Sequence, residues 1–258
     1  MVLTGAAGMV GGAVRERLRR AADKLVLVDR VPMTAEPGEE AVRTDLSDPR
    51  EVLEIVEGAD AIVHLAGVPD EAPLPDLLDG NVLTTHRVLE AARLAGVRRV
   101  ALASSNRLTG MYPATATLSP DLPPRPDGLY GVSKVALEAL GRLYADKFGL
   151  EVVCLRIGSL EPRPVDARHL ATWLSPRDCA GFFHAAVTTP GLRFLAAYAV
   201  SANTRRFWKL SPELGYEPLD DAESHEVTGD PAGFFTDDTP QGGPFATREY
   251  TPRGGGLG

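Results

Sequence analysis

Tyr130 and Lys134, in the segment Tyr-Gly-Val-Ser-Lys, lie four positions apart. On a helix that spacing puts both side chains on one face, one turn apart. In a chain with six Tyr and four Lys, the pairing arises by chance only about 0.1 times. A phenol with an ordinary pKa near 10 is a poor base at neutral pH, and a nearby ammonium favours its phenolate. The pair therefore predicts a tyrosine that accepts a proton and a lysine that assists it. Upstream, the apolar run 98–104 ends in Ser104-Ser105-Asn106. A hydroxyl at the carboxyl edge of a parallel strand lies in the crevice where open α/β sheets bind ligands, so Ser105 can donate to a substrate oxygen beside the tyrosine. Taken alone, Ser-Ser-Asn is more often turn chemistry.

A second constellation opens the chain. The first apolar run leads directly into TGAAGMVGG, with Gly5, Gly8 and Gly11 ahead of an amphipathic helical pattern. Glycines there allow a tight turn and bring backbone N–H groups at a helix N-terminus against a pyrophosphate. The second strand pattern ends at Asp29, where a carboxylate can accept both ribose hydroxyls and repel a 2′-phosphate. NAD is thus favoured over NADP, with adjacent Arg30 weighing the other way. Asp45, in TDLSD, either holds an adenine amino group or caps the next helix.

The elements that must position these residues are legible in the periodicity. Short β-branched runs at 1–4, 24–29, 60–66, 98–104, 150–157 and 191–198, with a further short one at Val42-Arg43, alternate with helical patterns at 10–20, 50–56, 81–94, 131–148 and 176–187. This alternation predicts a parallel sheet with crossover helices. The strands are continuous apolar runs, so both sheet faces should be buried. Residues 1–228 read as one Rossmann-like, doubly wound α/β domain, with a small substrate cap built largely from about 159–228. The stretch 229–258 holds eight Gly and four Pro and reads as a flexible tail, short of the apolar surface that offsets ordering entropy.

Composition narrows the partners. The 258 residues carry a net charge of −8, with 44% hydrophobic residues. No Lys/Arg-dense block offers phosphate neutralisation, which argues against nucleic acid. No apolar run is long enough to span a bilayer. The two cysteines, Cys154 and Cys179, show no metal-ligand spacing with the five histidines, so neither a disulfide scaffold nor a metal site is expected. A cytoplasmic location follows as an expectation, since the apolar start lacks the basic flank of a signal peptide. His64 reads as a packed, hydrogen-bonded histidine. Trp173, Trp208 and Phe182-Phe183 read as core or interface anchors.

TGAAGMVGG, the acidic end of the second strand, HLAG at 64–67, ASSN and YGVSK together resemble the extended short-chain dehydrogenase/reductase superfamily, over nearly the whole chain up to about residue 223. Within it, SSNRLTGMYP, RPDGLYGVSK, LRIGS, ATWLS, SAN at 201–203 and LGYEPLDDAE are similar to the uronate dehydrogenases, a group that oxidises hexuronic acids at C1. The resemblance implies Ser105, Tyr130 and Lys134 as catalytic residues, with Asn81 supporting the lysine through water. It implies NAD contacts from Gly5, Gly8, Met9, Val10, Asp29, Asp45 and Leu46 at one end. Leu65, Ala66, Gly67, Tyr130, Lys134 and Ile157 would follow at the other. Ser105, Asn106, Arg107, Ser159 and Arg168 would face a sugar acid, Arg168 placed for its carboxylate. Helices at 84–96 and 131–146 resemble the pair that forms dimer interfaces in the superfamily, which implies a homo-oligomer. Two positions depart from the pattern: Arg107 stands where these enzymes tend to have His, and Pro69 where they tend to have a hydroxyl residue. Both concern the identity of the sugar. A nucleotide-sugar epimerase or dehydratase is the nearest alternative, although only about 70 residues lie between LRIGS and the Gly/Pro-rich end. A catalytically silent NAD-binding regulatory protein is the other, against which the intact Ser, Tyr and Lys set weighs.

Overall fold

Alternate residues of a strand point to opposite faces of its sheet, and in the computed structural model, which describes residues 1–250, both faces are covered. The order along the chain is β1 (Val2–Thr4), α1 (Met9–Arg20), β2 (Leu25–Asp29), β3 (Glu39–Arg43), α2 (Pro49–Val56), β4 (Ala61–His64), α3 (Leu74–Leu77), a π-helical turn (Leu78–Leu83) and α4 (Thr84–Ala95). Then follow β5 (Arg99–Ser105), a 3₁₀ turn (Asn106–Thr109), α5 (Leu129–Phe148), β6 (Glu151–Ile157), β7 (Ser159–Leu160), α6 (His169–Thr172), β8 (Trp173–Leu174), α7 (Pro176–Thr188) and β9 (Phe194–Ala199). The main sheet has seven parallel strands in the order β3-β2-β1-β4-β5-β6-β9. Chain direction across the sheet reverses between β1 and β4. That switch point opens a crevice beyond the carboxyl ends of the strands.

Leu3, Leu27, Val63, Ala101 and Leu155 face α1 and α7 in one apolar layer, whereas Val2, Val28, Ile62, Leu102 and Cys154 face α2, α4 and α5 in the other. Each buried Leu is worth about 1.5–3 kcal/mol, so the two layers hold the switch point rigid. Cys154 and Cys179 sit in opposite layers, buried and unbonded. Phe182, Phe183, Trp173 and Trp208 are buried, as anchors should be. No described helix is long and apolar enough to cross a membrane.

Above the crevice stands a cap. The β7–β8 pair, α6, the loop after β5 and the stretch after β9 enclose two small clusters around Trp208 and Trp173. The flexible tail expected over 229–258 is corrected for its described part. Residues 229–250 form an arm with a short helix α8 (Pro231–Phe234), lying across the cap. Phe234 and Phe235 pack on the two clusters. The Gln241 side chain, 1% exposed, accepts from the Trp208 indole at 2.9 Å and donates to the carbonyls of Pro113 and Ala116. Few aromatic side chains suffice here, because each buries a large area at a low entropy cost. The cap therefore extends past residue 228. Residues 251–258, the remainder of that expected tail, lie outside the described residues.

Candidate active site

Every candidate site residue read from the sequence except Asn81 lines one cleft of about 1060 Å³ at the carboxyl edge of the sheet. At its first end is the glycine loop. Gly5 has φ +68°, and a Cβ there would lie 2.6 Å from the backbone nitrogen of Ala66. Helix α1 begins at Gly8 with no side-chain cap and no acidic residue in its first turn. Its leading N–H groups, at Met9 and Val10, are thus left for an anion. Gly5→Ala should lower stability by about 1–3 kcal/mol through left-handed strain and main-chain overlap, measured by denaturant unfolding. A wild-type midpoint would show that the loop can open without cost.

The Asp29 carboxylate accepts from Ala7 N at 2.9 Å and Val31 N at 3.1 Å, locking it beside the glycine loop. Asp45 also lines this end, and its alternative role as a helix cap is excluded. Asp48 caps α2, accepting from Arg50 N ahead of Pro49. Leu46, next in the chain, is held at φ +61° on the cleft wall, a conformation that costs a non-glycine residue free energy and clusters at functional sites.

At the other end β5 delivers Ser105, and α5 presents Tyr130 and Lys134 on its inner face. Tyr130 is half-buried in the cleft wall. Burial pushes Tyr130 up to about 12, against the downward pulls of the nearby Ser105 hydroxyl and of the Arg107 cation. Lys134 donates to Ala103 O at 3.0 Å, with Nζ 5.4 Å from the centre of the tyrosine ring. Burial brings its ammonium down to about 8. Desolvation thus outweighs the pull of the Arg107 cation on the phenol, and a further positive charge in the cleft would favour the phenolate.

Asn81 stands behind the cleft wall, where the π-helical turn directs it. Its Oδ1 accepts from Val68 N at 2.8 Å and its Nδ2 donates to Ser133 Oγ at 2.9 Å, which donates to Tyr130 O. Its direct bonds thus tie the loop after β4 to α5 and do not reach Lys134. Next to them His64 is buried, with Nδ1 2.7 Å from Thr4 Oγ1 and Nε2 without a partner among the described residues. Burial, aided by the Lys134 charge, takes its pKa down to about 3. The unfolded chain binds a proton below about 6.5 and the folded one does not until about 3. Stability contributed by neutral His64 is thus lost as pH falls through that window, by up to about 1.4 kcal/mol per pH unit. Urea unfolding of His64→Gln should show an acid slope shallower by that amount. Equal slopes would place the titration elsewhere.

Arg107 and Arg168 flank the substrate end with opposite electrostatic surroundings. Arg107 donates to Asp127 at 2.7 Å, Asp70 at 2.8 Å and Glu71 at 3.2 Å. Burial raises the Asp127 carboxyl, whose Oδ2 has no partner among the described residues. Arg107, implied to face the sugar acid, lines the cleft as a cation enclosed by three carboxylates. Arg168 is buried but bonds only neutral acceptors: Gln241 O at 2.8 Å, Ser159 Oγ at 2.9 Å and Asn106 Oδ1 at 3.1 Å. Burial takes it down to about 10, still charged at neutral pH. Asn106 is fixed in turn by donating to Ile157 O at 2.7 Å.

Four residues at this end were not found by sequence reasoning. Phe245 lines the cleft, with the Arg107 and Arg168 guanidinium carbons 4.5 and 5.4 Å from its ring centre. Gln241 holds Arg168; Glu71 and Asp127 hold Arg107. Gln241 and Phe245 come from the arm and carry no local signal. Gly128, a residue without a capping side chain ahead of α5, was the one hint that a cap must come from elsewhere.

Known proteins are similar to this chain in sequence and fold. The model of the NAD dependent epimerase/dehydratase family matches residues 1–175. A uronate dehydrogenase of Agrobacterium fabrum is 44% identical over 227 residues, 87% of this chain and 86% of that one. A crystal structure of a uronate dehydrogenase from Agrobacterium tumefaciens, a mutant complexed with NAD, superposes with a TM-score of 0.88 at 41% identity, covering 95% of this chain and 96% of the other. An NAD-dependent glucose-6-phosphate dehydrogenase of Haloferax volcanii is 35% identical, over 90% of this chain and 97% of its own. With the glycine cradle, the serine, tyrosine and lysine in one cleft and a matching model over more than half its length, the chain belongs to the NAD-dependent epimerase/dehydratase family.

Proposed function

We propose that this protein is an NAD-dependent dehydrogenase that oxidises a hexuronic acid of the glucuronate or galacturonate type at C1 to its aldarolactone. The residues fit the cofactor: Gly5 lets the loop pack directly on the Leu65–Ala66 backbone, and the uncapped start of α1 and the Asp29 carboxylate match a pyrophosphate and a ribose. When bound, NAD supplies the acceptor for the C1 hydride. Tyr130 takes the proton from the C1 hydroxyl as that oxygen becomes a carbonyl. Ser105 orients the same oxygen, and Lys134 holds positive charge over the tyrosine ring. Arg168 grips the substrate carboxylate, with Ser159 and Asn106 keeping its guanidinium aimed.

The observation that carries this reading is Arg168, a buried cation whose bonded partners are all neutral, in the cleft that holds the tyrosine. One cation without an ion-pair partner among the described residues suits a monoanionic carboxylate better than a dianionic phosphate, because Arg107 is already neutralised. The test offers glucuronate, galacturonate, glucose, arabinose and glucose 6-phosphate with NAD or NADP and reads reduced nicotinamide by absorbance. Accumulation with uronates and NAD supports the reading. A response to glucose 6-phosphate without one to uronates overturns it, and so does a uronate epimerised with no accumulation.

The same reading includes a homo-oligomer in the cytoplasm. Leu94 on α4 and Val132 and Leu143 on α5, all exposed apolar residues, support a contact between copies. Light scattering after gel filtration tests it; a monomeric mass would remove it.

A further inference from the structure

Helix α5 carries Tyr130 in its first turn, yet that turn has no cap of its own. Gly128 precedes it and makes no side-chain cap bond. The leading N–H groups of a helix must find partners when they are buried. Here both come from a carboxylate far away in sequence. Leu129 N donates to Glu71 Oε1 at 2.8 Å and Tyr130 N donates to Glu71 Oε2 at 3.1 Å. The Glu71 side chain is 4% exposed, and Arg107, itself held by Asp127 and Asp70, donates to it at 3.2 Å. The approach depends on a bare position. A Cβ on Gly128 would lie 2.4 Å from Glu71 Oε2 and 3.1 Å from Arg107 Nη2.

Resting on the reading of Tyr130 as proton acceptor, we infer that Glu71 is a positioning residue for the reaction. It clamps the backbone of Tyr130 itself, with Arg107 as its counter-ion, and so fixes the phenol relative to the loop that follows β4. That loop runs through Gly67, Val68 and Pro69 along the cleft wall, so one carboxylate ties the wall to the helix bearing the base. Asn81 makes a parallel tie through Ser133 deeper in the same interface. Arg107 consequently serves the tyrosine from two sides. It pins the cap, and its guanidinium carbon lies 5.4 Å from the tyrosine ring centre.

The test uses the full-length protein with Glu71→Gln, whose amide puts N–H hydrogens where a carboxylate oxygen accepted. A second variant, Gly128→Ala, displaces the carboxylate sterically and leaves its charge. Displacing a reacting group by about an ångström costs up to about 100-fold. Both variants should therefore lose roughly 10- to 100-fold in kcat, with the uronate KM and NAD affinity little changed. Hydrogen exchange should quicken at the Leu129 and Tyr130 amides and stay slow in the rest of α5. Wild-type kcat in both variants, or unchanged exchange at those two amides, overturns the inference. If Glu71→Gln loosens all of α5, Gly128→Ala decides by the same two readouts. Should the wild type oxidise no uronate, the proposed activity fails, while the exchange measurement still judges the clamp.

Discussion

Replacing Tyr130 with Phe is expected to lower kcat for uronate oxidation by roughly 10²- to 10⁴-fold, the usual range for loss of a positioned general base, and to leave NAD binding nearly intact. The substitution removes one oxygen from a half-buried ring and no backbone contact, so the cleft keeps its shape. Steady-state kinetics gives the first number, and fluorescence titration with NAD gives the second. The wild type should also show turnover rising with pH through neutrality. Its phenol is pushed up to about 12 by burial, so the base form is scarce at neutral pH and grows as protons are withdrawn. The rise should weaken above about 8, where Lys134 loses its proton and the cation near the ring disappears. Turnover in the Phe variant close to wild type would take the tyrosine out of the mechanism.

Replacing Arg168 with Met should raise the uronate KM by about 10²- to 10⁴-fold. Two charge-assisted hydrogen bonds at about 1.5–3 kcal/mol each are lost together, at about 1.4 kcal/mol per factor of ten. Activity on neutral hexoses should move far less, so the acid-to-neutral preference collapses. Because Arg168 also holds Asn106, Ser159 and the arm at Gln241, Arg168→Lys is the companion variant. It keeps the charge without the planar fork and should fall between the two. An unchanged ratio of uronate to hexose kcat/KM in the Met variant would move the acid-binding role elsewhere in the cleft.

Residues whose roles depend on near neighbours in the chain were legible beforehand. Gly5 must sit in a tight turn ahead of a helix, and Tyr130 and Lys134 must share a helix face. Ser105 must end a strand at the crevice. Each follows from a period or a turn within about ten residues. Asp45 was less clear, since TDLSD contains two acidic candidates for one cap; Asp48 takes it because Pro49 follows at the first helical position. The counter-ions of Arg107 and the packing of the arm were not legible. A basic residue in a site reads as a free cation until its counter-ions are known, and Asp70, Glu71 and Asp127 come from two other segments. The Gly/Pro-rich end reads as loose until Gln241, Phe245 and Tyr250 are seen against partners far upstream, among them the Tyr250 hydroxyl donating to Asp70 at 2.6 Å.

By itself, then, the amino-acid order determined the seven-strand scaffold, the cradle at its switch point and the pairing of Tyr130 with Lys134 on one helix face, because hydrophobic periodicity and turn stereochemistry act over short chain distances. Only the tertiary structure decided which arginine remains uncompensated, how acidic the phenol is and what caps its helix. Those are properties of electrostatics and desolvation, which depend on distances through space between groups remote along the chain.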